Sequence, residues 1–246
     1  MTVKHIGAWL RWLEHLVRDQ GVVRSNRIAP IFVFVFAAAG ALFAGSGASG
    51  SYNGPTGLMN IPSGSILSSN EQTFSLHRYQ LKYSYGFFSL FELGVKTDFD
   101  STTSLDVIAK KLSYNFKARL LEEKAVGFNL GAGFEGNNLY AAVDRTFPEL
   151  GGLKLVAGTG NNRFNWFFAG LSYPVHPVLD AMFEYDGLDF NVGGRLRLST
   201  NVNFDLYIKG LRRISRNLYL NDIIDSSVIF GISYTEVFNF SLNGLI

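Results

Sequence analysis

The stretch from Val178 to Lys209 sorts its side chains onto two faces more cleanly than any other part of the chain, and it limits what the whole can fold into. Leu179, Ala181, Phe183 and Tyr185, then Leu188, Phe190, Val192, Leu196 and Leu198, then Val202, Phe204, Leu206 and Ile208 alternate as β-strand side chains do. The opposite face carries Asp180, Glu184, Asp186, Asp189, Asn191, Arg195, Arg197, Asn203, Asp205 and Lys209. Asp186-Gly187 tolerates the positive φ of a two-residue type I′ turn, and Ser199-Thr200-Asn201 suits a three-residue connection. The stretch therefore reads as a three-stranded meander.

Pairing Leu198 with Val202 sets Arg195 opposite Asp205, Arg197 opposite Asn203 and Asn191 opposite Lys209, so the polar face is complementary. A turn at Asp186-Gly187 sets Glu184 opposite Asp189, a like-charge contact for which Lys209 is the nearest relieving cation. Asp180, Glu184, Asp189, Arg195, Arg197, Asp205 and Lys209 are thus expected to form a polar network on the inner face of a closed sheet. A soluble sheet with one face in a core produces the same alternation, so the rest of the chain has to decide.

At 246 residues the chain is long enough for one large β domain, and a net charge of +2 argues against binding nucleic acid by phosphate neutralisation. Its 22 Phe, 11 Tyr and 26 Gly against 6 Pro point to many aromatic strands with glycine where space is tight. The absence of cysteine excludes a disulfide scaffold, a thiolate metal site, a cysteine nucleophile and a lipoprotein anchor.

Residues 1–48 read as a targeting segment and 49–246 as the β-barrel domain. Lys4, Arg11, Arg18, Arg24 and Arg27 form a basic lead, and Ile28 to Ala44 is apolar apart from Pro30 and Gly40. Ser46-Gly47-Ala48 then offers small residues for signal-peptidase cleavage after Ala48. The lead is long for a signal peptide, and a retained anchor is the competing reading.

GPTGLMNIPSG, Gly54 to Gly64, is too punctuated for helix or strand and reads as an ordered loop entering the domain. Beyond it, strands are predicted from Glu71 to Gly86 with a bulge or turn near His77 to Tyr79, at Phe91–Lys96, Ala109–Leu120 and Val126–Phe134. Others are predicted at Leu139–Arg145, Gly152–Gly158, Asn165–Tyr173 and Ser227–Tyr234, with a polar loop at Asp98–Asp106. Gly127, Asn129, Gly131 and Gly133 face the cation-bearing strand of Lys111, Lys117 and Arg119, as on the inside of a narrow barrel where long side chains fold over small ones. The fold class expected is all-β: an antiparallel up-and-down barrel of about ten to twelve strands, transmembrane.

GPTGLMNIPSG, YSYGFFSLFELGVKTDFD and AMFEYDGLDFNVGGRLRLSTNVNFDLYI resemble the YjbH-like outer-membrane β-barrel proteins linked to exopolysaccharide biosynthesis, over most of Ser51 to Tyr234. The resemblance implies a barrel in the envelope of Gram-negative-type bacteria and brings no catalytic residues with it. Family members are longer, and the terminal aromatic read in barrel assembly is absent at Asn243-Gly244-Leu245-Ile246, with Phe238 and Phe240 nearby instead.

Catalytic constellations are weak. Ser75 and His77 share a strand face but lack an assignable acidic or amide partner. Gly131 to Gly136 matches GxGxxG yet ends a strand instead of opening a helix. Asp180, Glu184, Asp186 and Asp189 could gather around calcium, but they face Arg195 and Lys209, which favours ion pairs. Arg212, Arg213 and Arg216 are candidates for binding phosphate or an acidic sugar. No catalytic residue, cofactor or metal is expected. The favoured function is a non-enzymatic outer-membrane barrel serving exopolysaccharide production, export or envelope structure. Its expected partners are outer-membrane lipid, the barrel-assembly machinery and polysaccharide or its export machinery. Two other classes stay open: a soluble periplasmic barrel holding an apolar ligand, and an outer-membrane lipid hydrolase.

Overall fold

The computed structural model describes residues 51–78, 80–98, 111–211 and 227–238. The leader expected at 1–48 and nearly all of the polar loop expected from Asp98 to Asp106 lie outside the described residues. Within them runs one antiparallel sheet of twelve strands: β1 (Glu71–His77), β2 (Gln80–Phe87), β3 (Phe91–Asp98), β4 (Leu112–Leu121), β5 (Asn129–Glu135) and β6 (Asn138–Phe147), then β7 (Leu153–Gly160), β8 (Phe168–His176), β9 (Leu179–Tyr185), β10 (Phe190–Arg197), β11 (Val202–Ile208) and β12 (Val228–Val237). Each strand pairs with its sequence neighbours, and β1 pairs with β12 from Glu71↔Val237 to His77↔Gly231, which closes the sheet. The expected all-β up-and-down barrel is what forms, and the phase slip near His77 is a turn between β1 and β2.

Closure turns the alternation of the strands into an inside and an outside. Outward side chains are apolar: Phe91, Tyr114, Phe134, Leu155, Tyr173, Phe183, Phe190 and Phe230 are exposed. Rings also stack across strands on this face, Phe91 on Phe116 at 5.8 Å, Phe116 on Phe134 at 6.0 Å and Phe183 on Phe190 at 5.6 Å. Inward side chains are the reverse, and Glu71, Glu92, Lys117, Glu184 and Asn191 are among the most deeply buried groups in the molecule. A water-soluble sandwich would place these two sets the other way round.

Register in the meander follows the expectation at one turn and departs from it at the other. β10 and β11 pair Arg195 with Asp205 and Arg197 with Asn203. Between β9 and β10, however, Tyr185 pairs with Phe190, so Glu184 faces Asn191 and not Asp189. The cause is the Asp186 side chain. Its Oδ1 accepts the N–H groups of Leu188 (3.1 Å) and Asp189 (2.9 Å), and the Asp186 N–H donates to the Asp189 carbonyl at 3.0 Å. This Asx-type closure needs four connecting residues, with Gly187 at φ 98°. The expected like-charge contact disappears, since the Asn191 amide donates to Glu184 Oε1 at 2.9 Å.

The β4–β5 connection holds one turn of helix, α1 (Glu123–Val126), closed by Gly127 in the left-handed region. In β8 the ladder slips between Pro174 and His176, a bulge that accommodates a residue without an N–H.

Candidate functional site

The segment before β1 does more than lead into the domain: residues 51–67 lie inside the barrel and occupy its lumen. Thr56 to Ser63 forms a small hairpin, with the Gly57↔Pro62 bridge and the Leu58 N–H donating to the Ile61 carbonyl at 3.1 Å. Pro62 donates nothing and Gly57 has Ile61 O only 2.1 Å from where a Cβ would stand, so both suit a turn packed this tightly. The apolar tip, Leu58, Met59 and Ile61, packs on Phe164, Phe168, Met182 and Tyr207 in the one apolar cluster formed by the described residues. An apolar run inside a polar loop is explained by this cluster.

A chain threaded through a lumen must hydrogen-bond its main chain to something other than a sheet. The inward charges serve that purpose. Glu184 of β9 gathers the N–H groups of Met59 (3.2 Å), Asn60 (2.8 Å) and Ile61 (3.4 Å), three successive donors converging on one carboxylate. Glu92 of β3 accepts from Thr56 N (2.8 Å), Thr56 Oγ1 (2.7 Å) and Leu67 N (3.3 Å). Asp144 of β6 accepts from Ser65 N at 2.6 Å and is joined by Asn129 and Lys154. On the carbonyl side, Lys117 Nζ donates to the oxygens of Thr56 (2.8 Å), Ser63 (3.2 Å) and Ser65 (2.5 Å). Arg163 reaches Asn60 O at 2.9 Å, Arg195 reaches Leu58 O at 3.3 Å, and Lys82 holds Ser51 O.

Two inward glycines make room for the hairpin. A Cβ at Gly131 would stand 2.8 Å from Gly64 O, and one at Gly170 would stand 2.8 Å from Leu58 Cδ1. Lys117 and Arg119 do pair with Gly133 and Gly131, as the composition of β4 and β5 suggested. What fills the space over Gly131, though, is hairpin backbone.

The residues expected to form one inner network fall into separate groups. Asp180 is held by Arg197 at 2.6 Å near the end of the barrel where β9 begins, with Arg197 exposed at the rim. Arg195 Nε meets Asp205 Oδ1 at 2.6 Å, and Asp205 Oδ2 lies 3.2 Å from His77 Nε2. The His77 ring passes over Gly231 to get there; a Cβ at that glycine would stand 2.2 Å from the ring. Glu184 belongs to the hairpin, Asp189 Oδ1 accepts the Phe190 N–H at 2.9 Å, and Lys209 lies over the Tyr52 ring at 5.2 Å. Asp186, in the β9–β10 turn, also binds the Asn60 amide at 2.5 Å. Burial works to raise its pKa, but the N–H groups of Asp189 and Leu188 outweigh that and hold it below the usual carboxylate value. Arg212, Arg213 and Arg216 lie outside the described residues. The four acidic groups weighed for calcium do not converge, as Asp180 and Asp186 stand at opposite ends of β9.

For Ser75 and His77 the structure supplies the acidic partner that the sequence could not, Asp205. Both residues are nevertheless buried inside the barrel. The sequence assigns no role to Glu92, to Asp144 or to Arg163 and the Glu135 carboxylate it pairs with. Their one sequence signal is a charge on the inner parity of a strand or in a turn beside it.

No family model and no curated protein matches the chain. Among solved structures, a mutant of the Rh. blastica porin is similar with a TM-score of 0.32 at 11% identity, covering 63% of this chain and 54% of that one. A triple mutant of the Rhodopseudomonas blastica porin gives 0.31 and 12% over the same shares. The chain thus spans about half the length of the porins it matches. Its barrel assignment rests on its own strand pairing.

Proposed function

We propose that this protein is an integral outer-membrane barrel, closed at rest by its own N-terminal segment, that serves exopolysaccharide production or envelope structure without being an enzyme. One observation carries the membrane part: the barrel is apolar outside and charged inside, with Phe183 and Phe190 exposed while Glu184 and Lys117 are wholly buried. Among the described residues no helix is long and apolar enough to cross a membrane. The polysaccharide part is supported by the resemblance of the hairpin sequence and the β9–β11 meander to the YjbH-like proteins. A soluble barrel with an apolar ligand is disfavoured, because the lumen is lined by charges and filled by residues 51–67.

The non-enzymatic reading is supported by the burial of Ser75 and His77 in that filled lumen. Purified protein is expected to show no esterase or phospholipase activity, and His77→Ala to leave that background unchanged. For the barrel itself the test is extraction and gel behaviour. The protein should need detergent, resist carbonate and run faster unheated than boiled, and intact protein in a planar bilayer should pass no steady current. Release into the periplasmic fraction would sink the membrane reading, and a stable open conductance would sink the closed state.

A further inference from the structure

We infer that the lumen is a peptide-binding site, and that Ser51–Leu67 is its resident and exchangeable ligand. The lumen reads main-chain groups in addition to side chains. Carboxylates at Glu92, Asp144 and Glu184 take N–H groups of the hairpin, and Lys117, Arg163 and Arg195 take its carbonyls. Side chains are read as well: the apolar tip packs in its cluster, Thr56, Asn60 and Ser65 meet Glu92, Asp186 and Asp144, Asn53 accepts from Lys96, and the Tyr52 ring lies against Tyr207 and under Lys209. The ligand class is therefore a polypeptide turn with an apolar tip and free N–H groups.

Two further features make the occupant separable from its container. The wall is charged, so a vacated lumen would fill with water and resolvate its side chains, whereas an apolar core would have no such alternative. The tether is slender and accessible: Ser68, Ser69 and Asn70 are exposed between the buried hairpin and β1.

The test keeps the whole chain. A site-specific protease sequence placed at Ser68–Asn70 is cut after the barrel has folded in detergent, which turns the part of the chain N-terminal to the cut, residues 51–67 included, into a noncovalent occupant. A fluorescent synthetic peptide of Ser51–Leu67 is then titrated in. Saturable uptake at one peptide per barrel, competed by unlabelled peptide, is expected. Washing the nicked barrel free of peptide should open a conductance that added peptide blocks. A peptide with an ester in place of the Met59–Asn60 amide lacks one donor to Glu184 and should bind about ten- to a hundredfold more weakly. A nicked barrel that never exchanges, or that unfolds when cut, would make the hairpin integral core and overturn the inference. Displacement by acidic oligosaccharide as effectively as by free peptide would overturn it in favour of a saccharide site. Uptake is measured in micelles, so its failure is separate from any failure of the membrane assignment.

Discussion

An ammonium group in the middle of a closed barrel is tolerable only when acceptors surround it, and Lys117 has them in the hairpin carbonyls, Thr56 Oγ1 at 2.5 Å and Glu92 at 3.9 Å. Replacing it by methionine keeps the stem and removes the charge, which leaves those acceptors and the Glu92 carboxylate uncompensated. Breaking a buried pair in this way costs about 3–5 kcal/mol, so Lys117→Met should lower the unfolding midpoint in detergent strongly. Lys154→Met should lower it much less, since the Lys154 side chain is 28% exposed. Asp186 gives a pH signature. Its folded pKa is depressed, so its contribution to stability is complete above the unfolded value of about 4 and is lost as pH falls through the folded one. Asp186→Asn should melt below wild type at neutral pH, and the two should converge in acid. On the outer face Phe190 meets Phe183 and Tyr185. Phe190 opens β10 beside the β9–β10 turn, at an end of the barrel, so Phe190→Arg should destabilise the protein in lipid by only about 0–1 kcal/mol, measured by denaturant unfolding from vesicles.

At the scale of elements the strands were legible and the hairpin was not, for different physical reasons. Alternation is local, so β4, β9, β10 and β11 declare their two faces within a few residues of themselves. The hairpin is held by partners far away in the chain: Thr56 by Glu92 at a separation of 36 residues, Ser65 by Asp144 at 79 and Met59 by Glu184 at 125. Many of those bonds go to main-chain groups, which every residue possesses and which leave no mark on side-chain identity. The four-residue β9–β10 turn was missed because Asp-Gly also suits a two-residue hairpin, and the Asp186 carboxylate decides between them only in three dimensions. Glycine carries the residual signal. Gly131→Val would drive a side chain into Gly64 O and should unseat the hairpin while sparing the sheet. Hydrogen exchange over residues 51–67 should then quicken by about tenfold or more, with the β circular dichroism retained. Unchanged exchange would mean that Gly131 does not hold the hairpin in place.

For the molecule as a whole, an even number of strands puts both ends of the sheet on one side, as the Glu71↔Val237 pair shows. The hairpin tether Ser68–Asn70 lies at that end, together with the connections 88–90, 122–128, 148–152, 177–178 and 198–201. The opposite end carries 161–167 and the two longest connections, 99–111 and 209–227. Bacterial transmembrane barrels keep short turns toward the periplasm and longer loops outside, so on the proposed outer-membrane reading the barrel would sit with the tether inward. Trp166, 77% exposed in the 161–167 connection, would then face the cell exterior. A cysteine at Trp166 should react with an impermeant maleimide on intact cells, with no native cysteine to compete. A cysteine at Ser69 should react only after the outer membrane is permeabilised. The inverse pattern would reverse the orientation and place the hairpin's point of entry on the outer surface, where a peptide supplied from outside the cell would meet it first. Protection of both positions in intact cells, with both open once the periplasm is released, would remove the protein from the membrane altogether.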